Sequence, residues 1–383
     1  MTTSISLILS FFACKSCNEN QVVEKEQITE TAEEELPPFE NDWGSWLSMG
    51  VLSTGAPVVS YYDKTDGALG LAIADLSTDP VIWENQEVDG YNNDQGLDVG
   101  DHGKFSALAI TSTDDIWIAH HDVGLKTLRY AYRANGESAW TTGVADTGGG
   151  SSPDAGWFAS IALNSSGHPV IPHYDNIKKN LRVAHWDGSS FSGSIVDEGE
   201  DATTESGESV EANVGMFTAI AIDGDTEYIT YYDAAQGALK LAYGTSGNYT
   251  LEVIDTGNVG QWSSIAIENG QLHIAYHDQG NQNLKYATGT PGNFSFEILD
   301  DSDMVGADTD IFVNGTTISV VYFDGKNNNL KQASNNGGTW TTSTLAGEDG
   351  ALGFHNELAS YEGSLYGACY DYTNKTIWFS VVE

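Results

Sequence analysis

The chain is poor in positive charge, in cysteine and in proline. Its 383 residues carry 15 Lys and Arg against 55 Asp and Glu, a formal net charge of −40. A surface of that sign repels phosphate backbones and anionic headgroups, which excludes nucleic acid and leaves a membrane reachable only through a lipid anchor. Three cysteines, Cys14, Cys17 and Cys369, are too few for a disulfide framework or a Cys-rich zinc site. Eight prolines beside 42 glycines point to many tight turns and not to a disordered Gly/Pro tract. The apolar run over residues 5–13 is too short to span a bilayer as a helix. Hydrophobic residues at 40% and aromatics at 11% are too many for a disordered acidic chain, so a sizeable core is expected.

Residues 1–13 read as a signal peptide, and Ala13-Cys14 resembles the end of a bacterial lipobox, which implies a lipid on Cys14. The expected location is outside the cytoplasm, as an outer-membrane lipoprotein or an extracellular protein. Residues 14–42, with Glu33-Glu34-Glu35 and Pro37-Pro38, are acidic and without period, and read as an extended tether.

From Gly44 onward the chain repeats itself. Gly44, Gly103, Gly156, Gly215, Gly260, Gly306 and Gly353 each open a unit, and 18 or 19 residues later each unit has an Asp: Asp63, Asp122, Asp175, Asp233, Asp278, Asp324 and Asp371. An aromatic or histidine pair usually precedes that Asp, as in Tyr61-Tyr62, His120-His121 and Tyr276-His277. A Leu-Arg/Lys-x-Ala element follows in five units, among them Leu128-Arg129-Tyr130-Ala131 and Leu284-Lys285-Tyr286-Ala287. An aromatic such as Trp83, Trp140 or Phe294 then opens a fourth segment. Four short apolar-rich segments per unit, separated by Gly, Asn and Asp turns, form an antiparallel sheet. Seven such units predict an all-β chain over residues 43–383: a seven-bladed β-propeller of four-stranded antiparallel blades. The last unit ends after its third strand, so Leu36 to Asp42 is the candidate for the missing strand of blade 7.

With these repeats, residues 44–383 resemble the secreted bacterial seven-bladed propellers grouped with the sialidase and BNR-repeat superfamily, and more distantly the seven-bladed fucose-binding lectins. Ser334-Asn-Asn336-Gly-Gly338-Thr-Trp340 is one residue short of the Asp box of that superfamily. The resemblance implies a glycan as ligand. Sialidases of this kind hold a sugar carboxylate with three arginines. Arg129, Arg133 and Arg182 are the only arginines here, and two of them occupy a slot that is Lys in other units, which reads as repeat surface and argues against sialidase chemistry.

Residues present in every copy hold a repeat together, and residues that break it are candidates for function. The seven Asp residues are expected to cap turns. Two residues after each opening Gly lies a ring of Trp46, Phe105, Phe158, Phe217, Trp262, Asp308 and His355, five aromatics followed by an acid and an imidazole. That ring near one channel mouth is the expected ligand site, on the face decorated by the long connections Asp89–His102, Asp146–Ala155 and Glu198–Val214. Asp89, Asp94, Asp98 and Asp101 supply the oxygen density of a calcium loop without EF-hand spacing. The reading is a non-catalytic propeller that binds glycan or a cell-envelope protein. The rivals are an envelope scaffold and a polysaccharide lyase or glycosidase using His355, Asp308, Glu357 and His102.

Overall fold

A computed structural model describes residues 42–90, 100–149, 154–204, 206–347 and 350–382. The signal peptide, Cys14, the tether, the segment 36–41, Asp94 and Asp98 lie outside the described residues.

Each unit folds as an antiparallel meander. Blade 1 comprises Trp43–Val51, Pro57–Asp63, Ala68–Asp75 and Ile82–Asp89; blade 2 comprises His102–Ile110, Ile116–Asp122, Thr127–Arg133 and Thr141–Asp146. In blade 3 the first strand is split into Ala155–Trp157 and Ala162–Leu163, followed by Pro169–Asp175, Asn180–Trp186 and Phe191–Asp197. Blade 4 has Val214–Asp223, Thr226–Asp233, Ala238–Thr245 and Asn248–Thr256; blade 5 has Val259–Glu268, Gln271–Asp278, Asn283–Thr290 and Asn293–Asp300. Blade 6 has Val305–Asn314, Thr317–Asp324, Asn329–Asn336 and Thr341–Ala346, and blade 7 shows Phe354–Tyr361, Ser364–Asp371 and Thr376–Val381 among the described residues. The core lies between blades. Leu284 and Tyr286 of blade 5 pack with Val305, Ile311 and Tyr322 of blade 6, with Trp340 alongside. Each sheet thus buries both faces against its neighbours.

The opening glycines have a steric cause. All seven sit at φ between +96° and +108°, a region closed to residues with a Cβ. A Cβ on Gly260 would lie 2.7 Å from the Leu239 Cα of the preceding blade, and on Gly215 2.7 Å from Leu181 Cα. The glycine is therefore the point where a first strand touches the third strand of its neighbour. Gly260→Ala is expected to lose about 3 kcal/mol or more from strain and overlap together. Gly270→Ala, with φ +75° in open space, is expected to lose only about 1–2 kcal/mol. Urea denaturation of the two variants checks the difference, and equal losses would refute the packing argument.

Blade 7 meets blade 1 through the contact used elsewhere. The Trp43 amide donates to Lys375 O at 3.2 Å, as His102 donates to Gly67 O, Val214 to Lys179 O and Leu352 to Asn328 O. Gly44 packs on Ile377 as Gly260 packs on Leu239. Tyr370 donates its hydroxyl to Asp42 Oδ1 at 2.6 Å, and Tyr232 makes the equivalent bond to Asn258 of the next blade. Asp42, the one described residue of the expected closing segment, thus serves the start of blade 1.

The seven repeated aspartates cap the turns between second and third strands. Asp122 Oδ1 accepts from the Leu125 amide at 2.7 Å, Asp278 from Asn281 and Asp371 from Thr373 and Asn374, with the same arrangement at Asp63, Asp175, Asp233 and Asp324. The third-strand cations behave differently from the expectation. Arg129 and Arg182 are not surface groups. Each reaches the Asp that ends the fourth strand of the preceding blade: Arg129 Nε to Asp89 at 2.9 Å, Arg182 Nε to Asp146 at 2.8 Å, Lys240 to Asp197 at 2.5 Å, then Lys285 to Asp255 and Lys331 to Asp300. The first aromatic of the pair joins the same carboxylate, through Tyr231, Tyr276 and Tyr322 hydroxyls at 2.6–2.7 Å and through His173 at 3.2 Å. Acid, cation and phenol or imidazole form a triad that spans each of these five interfaces.

Candidate functional site

The ring two residues after each glycine is built by a second backbone device. Trp46, Phe105, Phe158, Phe217, Trp262, Asp308 and His355 all have φ between +46° and +55°, a left-handed conformation that is costly for non-glycine residues. It coincides with a bulge in the first strand, where register shifts between Ser45 and Ser48 opposite Tyr62 and Ser60. The bulge turns the side chain into the central channel. There the rings meet one another in sequence, with centroid separations of 5.5 Å for Trp46–Phe105, 5.0 Å for Phe105–Phe158, 4.5 Å for Phe158–Phe217, 4.7 Å for Phe217–Trp262 and 5.4 Å for His355–Trp46. Asp308 stands in the remaining place. In five blades the next residue binds the ring backbone of the preceding blade: Ser106 Oγ donates to Trp46 O, Thr218 Oγ1 to Phe158 O, Ser263 Oγ to Phe217 O, Thr309 Oγ1 to Trp262 O and Asn356 Nδ2 to Asp308 O. The aromatics therefore pack on each other as a collar, and each is half-buried.

Blades 6 and 7 make this collar polar over one sector. Asp308 and Glu357 line one cavity there and the His355 amide donates to the Asp308 carboxylate, and the structure adds Asp310 and Asn356, which sequence reasoning did not single out. The missed signal was one step further along the same comparison. Two residues beyond the ring, the other units place Ser48, Ala107, Ser160, Ala219 and Ser264, where these two place Asp310 and Glu357. Asp310 Oδ2 accepts the Leu358 amide at 2.7 Å, its Oδ1 accepts the Ile311 amide at 2.8 Å, and Glu357 Oε2 accepts the Met49 amide at 3.4 Å. Burial pushes the Asp308 carboxyl up to about 7, against a hydrogen bond from the His355 amide, and Asp310 likewise up to about 7. Burial and then the charge of Asp310 raise Glu357 well above the ordinary carboxylate range, while burial lowers the His355 imidazole to about 4. The chain places no cation against these acids in any described ion pair.

His102 lies elsewhere, at the interface of blades 1 and 2. Its Nδ1 is 3.3 Å from Asp89 Oδ2 and its Nε2 is 3.6 Å from Asp122 Oδ2, and His120 Nε2 also approaches Asp89 at 3.4 Å. Asp89, His102 and His120 bring ligand-type atoms within 4.8 Å of one another. The charge there is already met, because Arg129 binds the same Asp89 oxygen at 2.9 Å and lies 3.9 Å from Asp122. Of the expected calcium ligands, Asp89 is engaged in this network and Asp101 pairs with Lys104 at 2.9 Å. Burial depresses the His102 imidazole, but its hydrogen bond to Asp89 and the charges of Asp89 and Asp122 outweigh it, with Arg129 opposing, so the net shift is upward from 6.5. A raised histidine gives stability that is complete below pH 6.5 and lost as pH rises through its folded-state value. Thermal unfolding from pH 6 to 8 is expected to fall more steeply for the wild type than for His102→Gln, and parallel curves would contradict the assignment.

A third feature lies on the opposite face, where the turns between first and second strands and between third and fourth strands emerge. Between blades 2 and 3 a cleft of about 670 Å³ is lined by Trp117, Tyr130, Tyr132 and Trp186, with Asp115, His168 and Thr and Ser hydroxyls at its rim. The aromatics support one another, with centroids 4.3 Å apart for Trp117–Tyr132 and 5.5 Å for Trp117–Trp186, and Phe191 behind them. Trp117 and Trp186 break the repeat. The slot of Trp117 holds Val58, Val170, Tyr228, His273, Ser319 or Tyr366 in other units, and that of Trp186 holds Ala74, Arg133, Gly244, Gly289, Asn335 or Val382.

No protein-family model matches the chain, and no curated protein sequence does. Solved structures do. The polysaccharide lyase Uly1 matches with a TM-score of 0.53 at 12% identity, over 87% of this chain and 88% of that one. The Hadza microbial sialidase Hz136 matches at 0.48 and 11%, over 79% of this chain and 66% of the sialidase. The fucose-specific lectin from Aleuria aurantia matches at 0.46 and 14%, over 72% and 93%. The lyase shares the fold of this chain over most of both chains. At such identities the likeness is one of fold, and the chemistry has to come from the sites.

Proposed function

We propose that this propeller is a non-catalytic glycan-binding protein whose binding site is the cleft between blades 2 and 3. The observation that carries the reading is the placement of Trp117 and Trp186, two repeat-breaking indoles in one cleft with a polar rim. Aromatic faces stack on the apolar faces of sugars, and hydroxyl, imidazole and carboxylate groups at the rim bind their hydroxyls. The cleft volume falls within the range of small-molecule sites. That the polysaccharide lyase and the fucose-specific lectin share the architecture is in keeping with a carbohydrate ligand. The sugar is neutral on this reading, since the cleft lining contains no Lys or Arg. Arg129 and Arg182 are tied to Asp89 and Asp146, and Arg133 lies over Trp140 at 4.7 Å, so the three arginines form no clamp for a sugar carboxylate.

A second reading, a lyase or glycosidase at the channel mouth, rests on Asp308 and Glu357 lining one cavity and on the Asp308 carboxyl, which burial pushes up to about 7. A screen of neutral and acidic glycans with the full chain, followed by product analysis of every binder, separates the two. Binding of neutral glycans without new products supports the lectin reading, turnover lost in Asp308→Asn supports the enzyme, and neither binding nor turnover removes both. The same proposal puts the propeller outside the cell on a lipid at Cys14. Fatty-acid labelling of the wild type but not of Cys14→Ser is the expected result.

A further inference from the structure

The cleft between blades 2 and 3 has a counterpart one interface back. At the end of the third strand of blade 3, Trp186 pairs with Phe191 at the start of the fourth, with ring centroids 5.0 Å apart. In blade 2 the same two slots hold Arg133 and Trp140, and the Arg133 guanidinium carbon lies 4.7 Å from the indole centroid. Each pair faces the preceding blade. Beside Arg133 and Trp140 that interface opens as a pocket of about 390 Å³, lined also by Gln86 and Glu87 of blade 1 and by Glu137 and Ser138 in the turn of blade 2. Consecutive strand residues point to opposite faces of a sheet, so Tyr132 lines the cleft and Arg133 the pocket, on the two sides of one hairpin. The hairpin is held in place, because the Asn135 amide donates to Asp115 Oδ1 at 2.8 Å and Asp115 stands at the rim of the cleft.

Arg133 is the exception among the arginines. Arg129 and Arg182 are bound to Asp89 and Asp146, whereas Arg133 forms no ion pair among the described residues. Its Nη1 donates to Gln86 Oε1 and its guanidinium lies over Trp140, which fixes the group while its remaining N–H donors meet no acceptor among the described residues. The lining as a whole combines a cation, two acids, an amide, a hydroxyl and an indole. A sugar hydroxyl both donates and accepts, so it suits such a lining. An acidic ligand suits it less, because Glu87, Glu137 and the net charge of −40 repel it.

We infer that this pocket, given the cleft as the glycan site, is a second subsite for the same neutral glycan, with Arg133 and Gln86 binding sugar hydroxyls beside the Trp140 ring. One oligosaccharide then crosses the blade 2 hairpin and fills both. The two sites lie on opposite faces of one sheet, and sheets stack about 10 Å apart, so a monosaccharide occupies one site where a chain of several residues reaches both. Joining two binding events in one molecule raises the affinity through effective concentration.

Titration calorimetry of the full chain with the methyl monosaccharide and the tetrasaccharide of the neutral glycan that binds best tests the subsite. The tetrasaccharide is expected to bind at least tenfold more tightly than the monosaccharide, one to each chain, and Arg133→Ala should lower that ratio about tenfold. Blade 1 carries Ala74 in the slot of Arg133 and blade 6 carries Asn335, so Arg133→Ala and a second variant, Arg133→Asn, place there side chains that the fold already uses, and their unfolding temperatures separate lost binding from misfolding. The Trp140 indole N–H should shift with the tetrasaccharide and not with the monosaccharide. Equal affinity for the two sugars, or a ratio indifferent to both Arg133 variants, would overturn the second subsite, and loss of affinity in Trp186→Ala would at the same time leave the cleft standing. A tetrasaccharide ending in a uronic acid that binds more tightly than the neutral one, and loses that advantage in Arg133→Ala, would overturn the neutral class and make the pocket a carboxylate site.

Discussion

Replacing Asp300 with alanine is expected to cost about 3–5 kcal/mol of stability, among the largest effects of any single substitution in the chain. The carboxylate is almost fully buried and accepts from the Tyr322 hydroxyl at 2.6 Å and from Lys331, whose side chain is only 13% exposed. Burial pushes the acid up, but the hydrogen bonds of Lys331, Ser302 and Tyr322 outweigh it and bring it to about 2. Its contribution is therefore present above the ordinary value near 4 and lost as pH falls towards 2. Alanine leaves an ammonium and a phenol buried without their acceptor. Replacing the whole triad with apolar residues of similar volume should cost far less. The chain already contains that experiment. At the interface of blades 6 and 7, Ala346, Cys369 and Trp378 occupy the three slots, and they pack together with Leu330 and Leu358. Chemical denaturation of Asp300→Ala beside Asp300→Leu/Tyr322→Phe/Lys331→Met measures the contrast. A single variant no less stable than the triple one would refute the view that pairing, and not charge itself, holds these interfaces.

The second large effect concerns binding. Trp186→Ala is expected to lose about 2 kcal/mol or more of glycan affinity, roughly thirtyfold, because an indole in the centre of a desolvated patch carries a disproportionate share of the energy. Trp186 is half-buried and already supported by Trp117 and Phe191, so its ring is held ready before the sugar arrives. Trp117 is 6% exposed, so Trp117→Ala should lose stability as well as affinity through the cavity it leaves. Titration calorimetry with the best glycan of the screen reads both. Unchanged affinity in Trp186→Ala would place the site elsewhere.

Much of the architecture can be read in the sequence because the repeat is strict where sterics are strict. The glycine at φ near +100° touches the backbone of the preceding blade, and the turn-capping aspartate has no isosteric substitute, so both recur seven times. The reason for the cations was hidden because each partner belongs to the previous blade. Lys285 meets Asp255 and Lys240 meets Asp197 across an interface that no single unit contains. The candidate site was harder. The aromatic ring is the expected sugar platform, and in the structure its aromatics pack on one another while Asp308 and His355 interrupt their run. His102 shares their exceptional character without sharing their place, because it opens a strand two blades away from blade 7. The cleft aromatics escaped notice because Trp117 and Trp186 lie at strand ends of different blades, where the repeat is loosest and only superposition of the units reveals them as exceptions.

Assigned indole N–H resonances of the ten tryptophans, followed by NMR as a neutral glycan is added, test the central claim most directly. The account predicts that Trp117 and Trp186 shift on the hairpin face while Trp46 and Trp262 in the channel collar stay fixed. Shifts confined to Trp46 and Trp262 would contradict it and return the ligand to the channel mouth.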